Sequence, residues 1–127
     1  MITVLIADDE QEIRSILGRL MAGEGHTCVF AADGAEAVRV ATEIGPDLIL
    51  MDVKMPRMTG LEALAALRRD ARTRATPVIL ISAGTRLAAE LSGLLATADD
   101  FVAKPFDPDM LLARVRAVLG RTRPAAE

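Results

Sequence analysis

The sequence predicts an α/β fold: a five-stranded parallel sheet covered by helices on both faces. Three observations carry this expectation. Short unbroken apolar runs, such as 48–51 and 78–81, read as strands buried on both sides. Stretches of helical period lie between them. The two kinds of segment alternate, strand then helix, five times over, which is the pattern of βα units joined by right-handed crossovers.

Each element has its own signal. Ile2 to Ala7 is apolar and halts at Asp8 and Asp9, a first strand. The period then changes: Ile13, Ile16, Leu17, Leu20 and Met21 share one helical face, and Gly23 and Gly25 end the helix. Thr27 to Ala31, with Cys28, Val29 and Phe30, is the second strand, followed by a turn at Asp33-Gly34. Ala35 to Ile44 is an alanine-rich helix packing through Ala37, Val38, Ala41 and Ile44, and Gly45-Pro46 stops it. Leu48 to Met51 is the third strand, ending at Asp52. A loop holding Pro56 and Gly60 leads to a helix at Leu61 to Arg69, striped by Leu61, Leu64 and Leu67. After a polar connector, Pro77 opens the fourth strand, Val78 to Ile81, which ends at Ser82. Arg86 to Ala96 places Leu87, Leu91, Leu94 and Leu95 on one helical face. Phe101 to Ala103 is the fifth strand and ends at Lys104-Pro105. Asp107 caps the last helix, with Pro108 at its first position. Leu111, Leu112, Val115, Val118 and Leu119 face inward, and Gly120 stops it. Residues 1–120 are thus expected to form one domain, with 121–127 a flexible tail or linker stub.

Composition removes several function classes. The 127 residues carry 15 basic and 18 acidic side chains, a net charge of -3, which argues against direct nucleic-acid binding. Without Trp or Tyr, and with 3 Phe, there is no stacking platform for single strands. A single cysteine, Cys28, permits neither an internal disulfide nor a thiolate cluster, and a single histidine, His26, excludes a multi-histidine metal site. His26 is expected at the surface and Cys28 as a small packing hydrophobe. No run is long and apolar enough to cross a membrane. The apolar start meets Asp8, Asp9 and Glu10 too early for a signal peptide, so the expectation is a reduced, cytoplasmic setting.

In open α/β sheets, chemistry gathers beyond the carboxyl ends of the strands. The polar residues there are Asp8 and Asp9 after the first strand, Asp52 after the third, Ser82 after the fourth and Lys104 after the fifth. Three carboxylates brought together repel unless a cation sits among them. An all-oxygen set without thiolate or imidazole suits a hard divalent ion, Mg²⁺ first and Mn²⁺ second. One carboxylate can ligate such an ion and still act as a nucleophile. A phosphoryl group in flight spreads its charge over three oxygens. The ion would hold one, Lys104 a second, and the Ser82 hydroxyl with nearby backbone N–H groups a third. Of the 15 basic residues only Lys54 and Lys104 are lysines, so a compact ammonium at that strand end is a departure from the chain's preference for arginine.

Asp8-Asp9, Asp52-Val53-Lys54-Met55-Pro56, Ser82-Ala83 and Lys104-Pro105-Phe106, in that order and each at its strand end, resemble the receiver domain of two-component response regulators, of the chemotaxis-regulator kind. The resemblance spans roughly residues 3 to 119. It implies a flavodoxin-like (βα)5 sandwich with strand order 2-1-3-4-5. It also implies that Asp52 accepts a phosphoryl group from the phosphohistidine of a histidine kinase or histidine phosphotransfer protein. Asp9 is similar to the direct Mg²⁺ ligand and Asp8 to its acidic partner. The backbone carbonyl of Lys54 is similar to a third protein ligand. Ser82 and Phe101 resemble the paired switch residues. Lys104 resembles the lysine that bridges phosphate and acid, followed by a cis bond to Pro105. The fourth and fifth helices and the fifth strand would then form the surface that controls a downstream partner or fused output domain, or pairs two phosphorylated copies.

Two stretches depart from the family pattern: Thr97-Ala98-Asp99-Asp100, where the family often begins with glycine, and Gly84-Thr85 after Ser82-Ala83. Both fall on the expected output face and bear on partners rather than on phosphoryl chemistry. Singly, each motif has a plain structural reading: a solvated turn for Asp8-Asp9, a turn for Lys104-Pro105, a core aromatic for Phe101, a surface charge for Lys54. Other function classes fit less well. A flavodoxin-like cofactor carrier would need a glycine-rich phosphate loop where Asp8 to Glu10 stand. A phosphohydrolase acting on outside substrates would need a cap or insertion to enclose them. A degenerate receiver would be an interaction module alone.

Overall fold

A computed structural model describes residues 2–83 and 97–122. Five parallel strands, β1 (Thr3–Ala7), β2 (Thr27–Ala31), β3 (Leu48–Asp52), β4 (Val78–Ala83) and β5 (Asp100–Lys104), form one sheet of order β2-β1-β3-β4-β5. The expected strand order is therefore the observed one. Register aligns the carboxyl ends: Ala7 lies opposite Met51, Asp52 opposite Ile81 and Ala83 opposite Lys104. Whatever follows β1, β3, β4 and β5 is thereby delivered to one edge of the sheet.

Successive side chains of a strand point to opposite faces, and the two faces bury two cores. Leu5, Ala7, Ile49, Met51, Val78 and Leu80 pack with α2 (Gly34–Ile44) and α3 (Gly60–Arg69). Val4, Ile6, Leu48, Leu50, Ile79 and Ile81 pack with α1 (Gln11–Gly23) and α4 (Pro108–Thr122). All five residues of β3 are buried. Each fully buried aliphatic side chain contributes roughly 1.5–3 kcal/mol relative to exposure, so the central strands anchor the edge that carries the polar residues.

The helices begin where the sequence supplies caps. Asp33 accepts the Glu36 N–H ahead of α2, and Gly45 ends that helix at φ 65°. Thr59 and Glu62 form a reciprocal capping box ahead of α3. Asp107 Oδ1 accepts the Asp109 N–H at 3.2 Å, with Pro108 opening α4.

Some expectations change. Gly120 does not stop the last helix, which continues to Thr122. Glycine weakens a helix interior by about 1 kcal/mol but does not remove its hydrogen bonds. Ile16 and Ile44 are 37% and 49% exposed rather than packed. Ile16 sits at the rim of the Leu17–Met21 stripe. Ile44 is the last residue of α2, and Val40 takes the buried place instead. Helical phase fixes a residue's direction but not how far along the axis the sheet extends. The helix expected over 86–96, the Gly84-Thr85 departure and residues 123–127 lie outside the described residues.

Candidate functional site

The site is assembled by the aligned strand ends. Asp8 follows β1 and is 1% exposed. Its N–H donates to Ala31 O at 3.1 Å, its Oδ1 accepts the Glu10 N–H at 2.9 Å, and its carbonyl accepts Arg14 Nη1 at 2.6 Å. These contacts leave Oδ2 facing Lys104. Asp9, next along, is exposed. Asp52 closes β3 and is buried. Its backbone is approached so closely by the start of α3 that a Cβ on Gly60 would collide with the Asp52 carbonyl oxygen, while the Gly60 N–H donates to Val53 O at 2.8 Å. Glycine is required there by space.

Lys104, the last residue of β5, reaches back across β4. Its Nζ lies 3.1 Å from Asp8 Oδ2, 3.3 Å from Asp52 Oδ2 and 3.7 Å from Glu10 Oε1. Carboxylate oxygens of Asp8, Asp9 and Asp52 lie within 4.8 Å of one another. Around them opens a cleft of about 260 Å³ lined by Asp9, Glu10, Asp52, Lys54, Ala83 and Lys104. The Lys104–Pro105 peptide bond is cis.

One ammonium therefore serves several acids, and the titration of the groups reflects the shortage of positive charge. Burial, then the charge of Asp8, pushes the Asp52 carboxyl up, against the pull of Lys104 and the Lys54 backbone N–H. Burial works against the Lys104 ammonium too, but Asp8 and Asp52 outweigh it and its pKa rises. An all-oxygen cluster that keeps excess negative charge beside a half-buried lysine fits a hard divalent cation. Asp9 and Asp52 carboxylates, the Lys54 carbonyl and Asp8 nearby are the groups that could hold one.

Ser82 is completely buried, and its Oγ donates to Ala83 O at 3.3 Å. The cleft wall at that strand end is Ala83. Phe101 pairs with Leu80 in the sheet and is partly buried against the α2/α3 core. Alternation along β4 places Ser82 on that same face, two residues beyond Leu80. Lys54 is exposed and lines the cleft. His26 is half-buried rather than at the surface, and its Nδ1 has no hydrogen-bond partner among the described residues. Cys28 is partly buried against the α1/α4 core, with Gly18 O at 3.8 Å from its sulfur.

Sequence reasoning missed Glu10 as a third acid on Lys104. Its signal was present: it extends the acidic run by one residue at the same strand end. It also read Asp33-Gly34 as a turn alone. Asp33 caps α2 and pairs with Arg57 at 2.9 Å.

A family model described as the response regulator receiver domain matches residues 4–116. A probable transcriptional regulator, ycf27, of Guillardia theta is 41% identical over 123 residues, 97% of this chain and 47% of its own length. The receiver domain of Francisella response regulator 1452 superposes with a TM-score of 0.86 at 32% identity, covering 97% of this chain and 100% of that one. The receiver domain of the sensor histidine kinase PA1611 of Pseudomonas aeruginosa, solved with a magnesium ion coordinated in its active-site cleft, superposes at 0.84 with 27% identity, covering 94% and 98%. The chain spans about half the length of the curated relatives it matches.

Proposed function

The chain belongs to the response regulator receiver domain family, and from that premise we propose that it is a phosphorylation-controlled switch whose Asp52 takes a phosphoryl group from the phosphohistidine of a histidine kinase or histidine phosphotransfer protein. The observation that carries this reading is the Lys104 ammonium held between Asp8 and Asp52, with Asp9 alongside, at one edge of the sheet.

The chemistry follows from the groups present. An Asp52 carboxylate oxygen attacks phosphorus, the P–N bond of the donor breaks, and the imidazole leaves with that electron pair. Lys104, already 3.3 Å from Asp52, neutralises charge on the arriving phosphoryl oxygens. Mg²⁺ bound by Asp9, Asp52 and the Lys54 carbonyl would offset the repulsion of carboxylate and phosphoryl oxygens; Mn²⁺ has the same oxygen preference. Hydrolysis reverses the charge state: water attacks phosphorus, inorganic phosphate leaves and the Asp52 carboxylate is restored. Both steps take place in the chain's own site, so it is a switch with self-catalysed transfer and loss rather than an enzyme for outside substrates. The magnesium described for the PA1611 receiver supports the same ion here.

Phosphorylation acts by favouring one of two conformations. In this reading the Ser82 hydroxyl exchanges its bond to Ala83 O for a phosphoryl oxygen, and Phe101, on the same sheet face, repacks into the room released. The surface near β5 and α4 then controls a partner protein, a fused output domain or a second phosphorylated copy. The Guillardia relative's description as a probable transcriptional regulator supports an output on gene expression through a domain other than this one.

Incubation with Mg²⁺ and acetyl phosphate tests the reading. Stoichiometric, base-labile, acid-stable labelling, lost in Asp52→Asn and on chelation, supports it. Turnover of varied phosphate esters would make the chain a phosphohydrolase instead. Folded protein that neither binds Mg²⁺ nor becomes labelled would make it an interaction module.

A further inference from the structure

A backbone carbonyl is only as well placed as the loop that carries it, and the loop bearing Lys54 has an unusual backbone. The Met58 N–H donates to Pro56 O at 2.7 Å, closing a three-residue turn. Its central residue, Arg57, has φ 65° and is the one non-glycine with positive φ among the described residues. Glycine enters that region freely; a residue with a Cβ does so against steric resistance, and three-residue turns with positive central φ are rare and strained.

What holds the turn lies at the start of α2, on its cap Asp33 and its first residue Gly34. Arg57 Nε donates to Asp33 Oδ2 at 2.9 Å, while Asp33 Oδ1 accepts the Glu36 N–H at 2.8 Å. One residue on, the Gly34 N–H donates to Met58 O at 3.0 Å, an approach that a Cβ on Gly34 would block. The Asp33 side chain is 10% exposed and that of Arg57 72%. Arg57 is thus no part of a core; what it contributes is this pairing. An exposed pair and a left-handed side-chain residue are worth comparable and opposite free energies. The pair therefore offsets the cost of the left-handed turn beside the Gly34–Met58 backbone hydrogen bond, and without it the loop is held less firmly.

We propose that Arg57 is a positioning residue for the metal: its pairing with Asp33 pins the loop to α2 and keeps the Lys54 carbonyl at the cleft. This inference rests on the metal reading given above. It makes Mg²⁺ affinity depend on two residues that are not themselves ligands, as outer groups around metal sites commonly do.

Two variants separate positioning from simple electrostatics. Arg57→Ala removes a positive charge and, acting through space alone, would leave cation binding unchanged or tighten it. Asp33→Ser removes a negative charge and would weaken it; serine still caps α2 but is too short to reach Arg57. Positioning predicts that both weaken binding, each by up to about fivefold, and that Arg57→Lys retains most of the affinity. The measurement is calorimetric titration of the full chain with Mg²⁺, with circular dichroism to confirm that each variant is folded. Wild-type binding matched or exceeded by Arg57→Ala would overturn this inference and leave the metal reading standing. A wild-type chain that binds no Mg²⁺ would overturn both.

Discussion

Replacing Lys104 with Met keeps the length of the side chain and removes the charge on which the site's acids depend. The ammonium lies 3.1 Å from Asp8 and 3.3 Å from Asp52. At an effective dielectric of about 20, each attraction is worth roughly 5 kcal/mol before desolvation. Taking the groups out of water cancels much of that, and breaking a buried pair by removing one partner costs about 3–5 kcal/mol. The open cleft lets water reach Asp9 and Glu10, so Lys104→Met is expected to lose about 2–4 kcal/mol at pH 7.

The loss has a distinctive pH profile. Burial and Asp8 hold the Asp52 carboxyl above its ordinary 3.8 even with Lys104 present, and removing Lys104 raises it further. A carboxyl whose pKa is higher in the fold than in the unfolded chain supports the fold below the unfolded value and loses that support as pH rises through the folded value. The deficit of Lys104→Met should therefore shrink as pH falls toward the ordinary carboxylate range and grow as pH rises through the raised Asp52 value. Lys104 itself, raised above 10.5, supports the wild-type fold below 10.5 and ceases to do so as pH climbs through its folded value, a loss absent from the variant. Mg²⁺ at about 100 times the variant's own Kd should raise the variant's stability by about 2.7 kcal/mol. The assay is urea unfolding followed by far-UV circular dichroism, the chain having no Trp or Tyr. A variant within about 0.5 kcal/mol of wild type, or a deficit that does not change with pH, would refute the electrostatic account; surface substitutions routinely fall within that margin.

Three further outcomes are expected. Asp52→Asn removes one of the mutually repelling carboxylates and should stabilise the metal-free protein by about 0.5–1.5 kcal/mol at pH 7, with the gain shrinking as pH falls through the raised Asp52 value and the wild-type carboxyl takes up its proton; thermal melts across pH check it. Gly60→Ala forces a Cβ against the Asp52 carbonyl and should cost about 2–4 kcal/mol by chemical denaturation, whereas Gly23→Ala, whose Cβ meets nothing within 4 Å, should gain up to about 1 kcal/mol. Arg57→Gly and Arg57→Ala both lose the Asp33 pairing, but glycine relieves the positive φ, so the glycine variant should be the more stable by about 1 kcal/mol.

The fold was legible because the apolar runs of β1, β3 and β4 are continuous and stop at acids or serine, which marks strand ends directly in the sequence. The strand order came from resemblance rather than periodicity, since pattern alone does not say which strands are neighbours. The core site was legible for the same reason as the strands: Asp8, Asp9, Asp52 and Lys104 occupy the positions that parallel pairing brings level. Ile16, Ile44 and Gly120 were misread because helical phase carries no information about where a sheet ends or how firmly packing holds a terminal turn. The Arg57–Asp33 pair was invisible because it joins residues 24 apart through a backbone conformation that arginine does not advertise. Glu10 was seen as an acid but not as a partner of Lys104, a contact set by where a side chain from β5 reaches across the sheet edge.

Borohydride reduction of the labelled protein, followed by peptide mass spectrometry, tests the central assignment most directly, since an aspartyl phosphate is trapped as homoserine at the residue that carried it. The account predicts homoserine at position 52 alone, formed only when Mg²⁺ was present during labelling. Trapping at Asp8 or Asp9, or equal trapping at Asp52 without any divalent ion, would contradict it.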